Sequence, residues 1–493
     1  MYIDYPLYNK DMQAALQPIE SKVKKVKNGA GREASERVIR ILALTLLISV
    51  MSATTFTIVL PEIRAEYRLT YAQVSWVTTA YLLLYAIGTV IYGKLADHYR
   101  LKNLLTFGLI FFSFGSMIGL AAQAYWMVLL GRALQAAGAA VIPAAAGIIP
   151  VRYFPPERRG RALGIAMTGL AIGGAAGPMI TSLFMSIVHW RFLFCIPLIT
   201  LIAIPFYRKY LNDAPREKGS IDWLGGGLLG GSAALLLLAI TNEAWLPGVG
   251  SVALFLLFLL RIRFATNPFI RLELFRNRSY SLVLIIAILN SGVGYSLAFL
   301  SPQLLSQVHR LAPHLVGYVM VPAAIATAIL SRKAGKLADD RGNPFVFYVA
   351  SSLLLACFLL LSLSVGAPPF YMALTLILGN VGQSFMMIVL SNTLSRSLPQ
   401  EQTGVGMGLL SMLNFISGAI AASIYSAIID RGASSGWLGV TANPAAFVYS
   451  NLYLVLALIH VLLFAYYYVF FGRAESRSKR QNARFVQETS QQK

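Results

Sequence analysis

Apolar runs near 20 residues, one after another, set the terms for this chain. A helix of that length crosses a hydrocarbon layer roughly 30 Å thick. Fourteen such runs can be read, at about 39–60, 74–93, 103–123, 125–147, 161–187, 191–209, 222–241, 246–263, 280–303, 314–337, 344–364, 368–390, 404–428 and 448–471. Inside lipid every backbone N–H and C=O must be satisfied by the protein, which leaves helices or closed barrels. Barrels need alternating strands of about ten residues, and none are seen. The 493 residues are 57% hydrophobic and only 12% charged. A soluble chain of that length needs several cores and far more charged surface. The sequence therefore predicts an all-α polytopic membrane protein.

The net charge of +21 raises the question of nucleic acid, and its placement answers it. With the N-terminus placed inside, the outer loops hold only Arg64, Arg68, Arg191, Arg310 and Arg431, and Arg132 lies within a run. The other 35 of the 41 Lys and Arg residues fall in the inner loops, the run ends beside them and the two tails. That asymmetry is the positive-inside signal. It predicts both termini in the cytoplasm and no nucleic-acid partner. Residues 1–38, with Lys22, Lys24, Lys25 and Lys27, read as a cytoplasmic tail, disordered or lying on the surface, not a cleavable signal. Residues 472–493 read as the second tail. Cys195 and Cys357 lie far apart in apolar runs, with no metal or redox spacing.

Gly93-Lys94-Leu95-Ala96-Asp97 recurs letter for letter as Gly335-Lys336-Leu337-Ala338-Asp339, 242 positions later. Each copy closes the second run of a six-run set. This predicts one membrane unit used twice. The division is a six-helix half at 39–209, two inserted helices with flanking loops at 210–279, and a second half at 280–471.

These motifs resemble the major facilitator superfamily over nearly all of residues 39–471, in its fourteen-span drug:proton antiporter branch. Ile91–Leu105, Gly131–Ala140 and Arg152–Gly164 look most like Gram-positive-type tetracycline efflux proteins. The loop motif matches at Gly93, Leu95, Ala96, Asp97 and Lys102, while Arg100 stands where glycine is usual. The resemblance implies gating roles for Gly93, Asp97, Arg100, Lys102, Gly335, Asp339 and Arg341. Arg132 and Gln135 match a family Arg-x-x-Gln pattern linked to coupling and cavity organisation. An arginine at mid-span costs about 2.5–3.5 kcal/mol, so it should face protein or water. Gly164, Gly173, Gly177 and Pro178 match the antiporter signature. Tight helix contact alone is a sufficient physical reason for its glycines.

Tetracycline efflux proteins of this type carry carboxylates in the first and thirteenth runs, and neither run has one here. The remaining coupling candidates are Asp222, Glu243, His460 and Asp97. The expected cavity is polar and mostly uncharged: Thr54, Tyr81, Tyr85, Asn290, Tyr295, Gln303, Asn380, Gln383 and Asn414. No metal cluster, nucleotide loop or nucleophilic set is present, so the sequence predicts no enzyme and no cofactor. The expected function is a bacterial plasma-membrane secondary exporter of a small amphipathic compound. It should work as a monomer in the bilayer, by alternating access with protons as the coupling ion. Two other readings stay open: a metabolite or peptide exporter or facilitator with other coupling, and a non-transporting sensor with the same fold.

Overall fold

The computed structural model describes residues 10–185, 188–211, 221–241, 244–311, 313–398, 402–438 and 443–472. Among them there are helices and no strand. In chain order the first are α1 (Lys10–Tyr67), α2 (Tyr71–His98), α3 (Leu101–Leu120), α4 (Tyr125–Ala139), α5 (Val141–Tyr153) and α6 (Arg159–Met185). A 3-10 run, Trp190–Ile202, leads into α7 (Ala203–Tyr210). Next come α8 (Trp223–Thr241), α9 (Trp245–Phe264) and the short α10 (Glu273–Arg276). The last are α11 (Arg278–Gln307), α12 (Pro313–Arg341), α13 (Asn343–Leu363), α14 (Pro369–Ser397), α15 (Thr403–Arg431) and α16 (Pro444–Tyr467).

Thirteen helical stretches among the described residues are long and apolar enough to cross a membrane. They follow thirteen of the fourteen runs. α4 and α5 together make one stretch, Tyr125–Tyr153, and the 3-10 run with α7 makes another. The remaining run is α6, a 27-residue helix with glycine at 160, 164, 169, 173, 174 and 177. Helix reaches back into the expected tail, because α1 is helical from Lys10. At 1.5 Å per residue α1 is roughly 87 Å long, far beyond one bilayer.

Packing falls into two groups. α1 to α7 bury one set of side chains around Leu46, Tyr85, Phe112 and Tyr207. At the far end Phe56, Val77, Trp190 and Phe194 form a smaller cluster. α11 to α16 pack around Leu297, Phe358, Leu376 and Tyr453, and this cluster extends to Leu229 of α8 and Phe258 of α9. α8 and α9 pair as a hairpin, with α8 touching α2 of the first group and α15 of the second. The two groups meet along two seams, α2 against α15 and α6 against α12. Both seams close at the end that carries the repeated pentapeptide.

Candidate functional site

The two pentapeptide aspartates do the same thing on opposite seams. Asp97, at the end of α2, accepts hydrogen bonds from the backbone N–H of Gly404 at 2.9 Å and of Val405 at 3.0 Å. Those N–H groups belong to the first turn of α15, where no intrahelical acceptor exists and the helix dipole favours an anion. Asp339, at the end of α12, accepts from Gly160 N–H at 2.9 Å and Arg161 N–H at 2.8 Å in the first turn of α6. Each aspartate thus caps a helix of the other group. The pentapeptide glycines explain how the backbones come close enough. A Cβ on Gly93 would collide with the Gly404 carbonyl, and one on Gly335 with the Gly160 carbonyl.

The two caps are not equal. Arg152, at the end of α5, ion-pairs with Asp97 at 2.8 Å and donates to the Ala96 carbonyl at 2.7 Å. Both side chains are almost fully buried, 5% and 6% exposed. Among the described residues Asp339 forms no ion pair. Of the other expected gating residues, Arg100 sits at the N-cap of α3 and Lys102 in its first turn. The Arg341 guanidinium lies over the Phe345 ring, 5.1 Å from its centre.

Arg132 is completely buried, not at an interface. Its Nη1 donates to Gln135 Oε1 at 3.0 Å and to the Ser52 carbonyl at 3.3 Å, and its Nε to the Val77 carbonyl at 3.2 Å. Gln135 in turn donates to Ser116 Oγ at 2.7 Å. The guanidinium is held between the rings of Tyr81 and Phe56, 3.9 and 4.2 Å from their centres. Cation–π attraction and carbonyl acceptors thus stand in for a carboxylate. Arg132 joins α1, α2 and α4, with Gln135 extending the set to α3.

From Arg132 a line of contacts leads to the other group. Tyr81 stacks on Tyr85, and the Tyr85 ring meets Phe415 of α15 edge-on at 5.3 Å. Asn414, next in the chain, accepts from Ser291 Oγ at 2.7 Å. Asn290 donates to Gln383 Oε1 at 3.3 Å. Tyr295 stacks on Phe299 and packs over Gly418. Six expected cavity residues therefore lie along this path or beside it: Tyr81, Tyr85, Asn290, Tyr295, Gln383 and Asn414.

The other three do not join it. Thr54 bonds the Val50 and Met51 carbonyls of its own helix and packs against Gly177, inside the α1–α6 contact. Asn380 bonds the Leu376 carbonyl one turn back. Gln303 is half-buried one turn before the end of α11. In lipid a polar side chain readily finds its own helix's carbonyls, so polarity alone does not mark a cavity.

The glycines of α6 serve two different contacts. A Cβ on Gly164 would strike the Ser331 carbonyl of α12, across the seam. On Gly173 it would strike Leu47 of α1, and on Gly177 it would strike Thr54, both within one group. The Pro178 side chain lies outside the described residues, as does Glu243. Asp222 caps α8 through Gly225 N–H at 3.0 Å and pairs with Arg261 of α9 at 3.3 Å, which ties the hairpin together. His460 is buried between α16 and α13, with Nε2 2.9 Å from Ser351 Oγ.

Sequence reasoning missed Arg152 as the partner of Asp97, although the Arg152–Gly164 stretch stood out. It also missed a far-end cluster. There the Glu66 carboxylate accepts from Trp190 Nε1 at 2.6 Å and pairs with Arg191, which also donates to Tyr67 Oη at 2.9 Å. Two cavities among the described residues measure about 390 and 410 Å³, and neither of these is lined by Arg132 or Asn414.

Two helical groups, joined at one end by reciprocal caps, define a membrane carrier. Residues 42–422 match the Major Facilitator Superfamily, and the chain belongs to that family. It is 26% identical over 401 residues to the riboflavin transporter RibZ of Clostridioides difficile, covering 80% of this chain and 88% of that one. It is 30% identical over 307 residues to multidrug resistance protein 3 of Bacillus subtilis, covering 60% of each chain. In fold it is similar to the human organic anion transporter MFSD10, with a TM-score of 0.63 at 16% identity over 86% of this chain and 99% of that one. The chain is thus a multi-pass transporter of small molecules in the lipid bilayer, and its relatives are transporters, not enzymes.

Proposed function

We propose that this chain is a secondary exporter of small amphipathic compounds. It works by alternating access, in the fourteen-span antiporter arrangement, as a monomer with both termini in the cytoplasm of a bacterial cell. The supporting observation is the pair of caps at the pentapeptide end: Asp97 on α15 and Asp339 on α6. These are short polar contacts between two large apolar bodies. They can be made and broken as a unit, which rocking about a central site requires. The positive-inside asymmetry supports a cytoplasmic location for this end, which makes the conformation one closed to the cell interior. A relative named for multidrug resistance supports the outward direction.

The central site is the path from Arg132 through Tyr81 and Tyr85 to Asn290, Gln383 and Asn414. Its residues are aromatic, amide and guanidinium groups, which suit neutral or anionic planar compounds with oxygen substituents. A metabolite carrier is the second reading, favoured by the likeness to a riboflavin transporter. Protons are the proposed coupling ion, with Asp97 as the coupling carboxylate. Asp222 ties a hairpin and His460 packs between two helices, whereas Asp97 alone joins a buried arginine to a seam. Neutralising Asp97 removes the charge that holds Arg152 and two N–H groups, and so frees the seam.

The test is flux. A drug-susceptible, pump-deleted host expressing the protein should gain resistance to, or extrude, at least one compound of a panel that includes tetracyclines and flavins. Absence of transport for the whole panel, with the protein present in the membrane, would count against the exporter reading.

A further inference from the structure

A cavity of about 390 Å³ opens beside the clasp at the pentapeptide end. Both groups build it. Arg152, Phe154, Pro155 and Arg159 come from the end of α5 and the start of α6, and Ser395 and Arg396 from the last turn of α14. Arg396 reaches across the seam and donates from Nη2 to the Pro156 carbonyl at 3.1 Å. Arg159 donates from Nη2 to the Val151 carbonyl at 3.1 Å and from Nε to the Phe154 carbonyl at 3.5 Å.

Among the described residues neither Arg159 nor Arg396 forms an ion pair. Arg152 differs, since its charge is held by Asp97. Among the described residues the other acids near enough to be felt are Glu157 beside Arg159 and Asp339 near Arg396. Burial, and then the Arg396 charge, hold Arg159 below the ordinary arginine range against a small opposing effect of Glu157. Closing this end therefore brings two guanidinium groups, bonded among the described residues only to carbonyls, into one cavity. Each carries five N–H donors in a planar fork, more than its carbonyl contacts use. Such forks match phosphate oxygens in pairs.

We propose that this cavity binds a phosphate-bearing anion, which bridges Arg159 and Arg396 across the seam. The anion relieves the repulsion between them and holds the pentapeptide end closed. This rests on the reading that the two groups separate here during transport. Separation carries Arg396 away with α14, so the anion has its full partner set only in the closed state. By linkage, an anion that binds one state better shifts the protein toward it. The same chemistry is offered by a soluble phosphate or by an anionic lipid headgroup.

The experiment uses the full chain with spin labels at the pentapeptide ends of α6 and α12. Pyrophosphate is titrated in detergent. In parallel the protein is placed in nanodiscs of phosphatidylcholine with or without phosphatidylglycerol. Binding is read from the unfolding midpoint, and conformation from the label distance. The wild type should be stabilised and shifted to the short distance. Arg159→Gln and Arg396→Gln should bind at least tenfold more weakly, and Arg396→Lys should lose part of the effect. Arg263→Gln, outside the cavity, should behave as wild type. A response to pyrophosphate identifies a soluble anion, and one seen only with phosphatidylglycerol a lipid headgroup. No stabilisation from either source, or wild-type stabilisation in both glutamine variants, overturns the site. Arginine-dependent binding with no change in distance overturns the locking role. Loss of flux with anion binding intact counts only against the exporter reading.

Discussion

The Asp97 carboxylate takes the Gly404 N–H at 2.9 Å, across 307 positions of sequence, while the same oxygen holds Arg152 at 2.8 Å. One carboxylate thus joins three helices, α2, α5 and α15, two from one group and one from the other. Asp97→Asn keeps the shape but removes the charge, which takes away the carboxylate that Arg152 pairs with in a buried site. Breaking a buried pair from one side costs about 3–5 kcal/mol. The expected outcome is a population shift away from the closed pentapeptide end and loss of transport. Label distances across α2 and α15, with efflux in whole cells, check it. An unchanged distance in Asp97→Asn would show that the cap does not hold the seam.

The α6–α12 seam is closed by backbone contact as much as by charge. Gly160 and Gly335 each face the other's carbonyl. Gly335→Val should therefore prop this seam open, because backbone cannot yield as a flexible side chain can. Gly173→Val should instead disturb α1 against α6 and leave the seam closed. Cysteine cross-linking between residues near 161 and 336 separates the two: formation should fall at least tenfold for the first and persist for the second.

The pattern of legibility follows from these contacts. The spans, the duplicated unit and the loop motif were readable because lipid imposes length and charge rules on every helix. Arg132 was readable because a lone charge in an apolar run must have partners. Arg152 was not, since its position at a helix end looked like one more inner-loop cation. The acceptors of the clasp were hidden for another reason: the groups that Asp97 and Asp339 cap are backbone N–H, which no side-chain pattern announces. Thr54 and Asn380 bond carbonyls of their own helix, a use of a hydroxyl or amide that the sequence does not distinguish from lining a cavity.

Arg132 is expected to tolerate no exchange, including lysine. Its three bonds go to acceptors at fixed angles, and its plane lies between two rings. A lysine keeps the charge but loses the planar fork and the stacking. Arg132→Lys should cut transport in proteoliposomes at least tenfold. Arg132→Ala should also lower the unfolding midpoint, because two carbonyls and Gln135 are left unmatched in a buried site. Intact transport in Arg132→Ala would remove this residue from the central site.

Coupling gives the sharpest separation among the acids and the histidine. In everted vesicles energised with a proton gradient, substrate should partly collapse the gradient if protons are exchanged for it. The wild type should respond and Asp97→Asn should not. Asp222→Asn should respond, because the carboxylate it replaces ties α8 to α9 and lies off the Arg132 path. His460→Ala should respond as well, since the imidazole contacts Ser351 within one group. A response in Asp97→Asn together with its loss in Asp222→Asn would move the coupling site to the hairpin. Substrate flux with no gradient change in the wild type would favour the facilitator, in which the clasp gates passage without a proton.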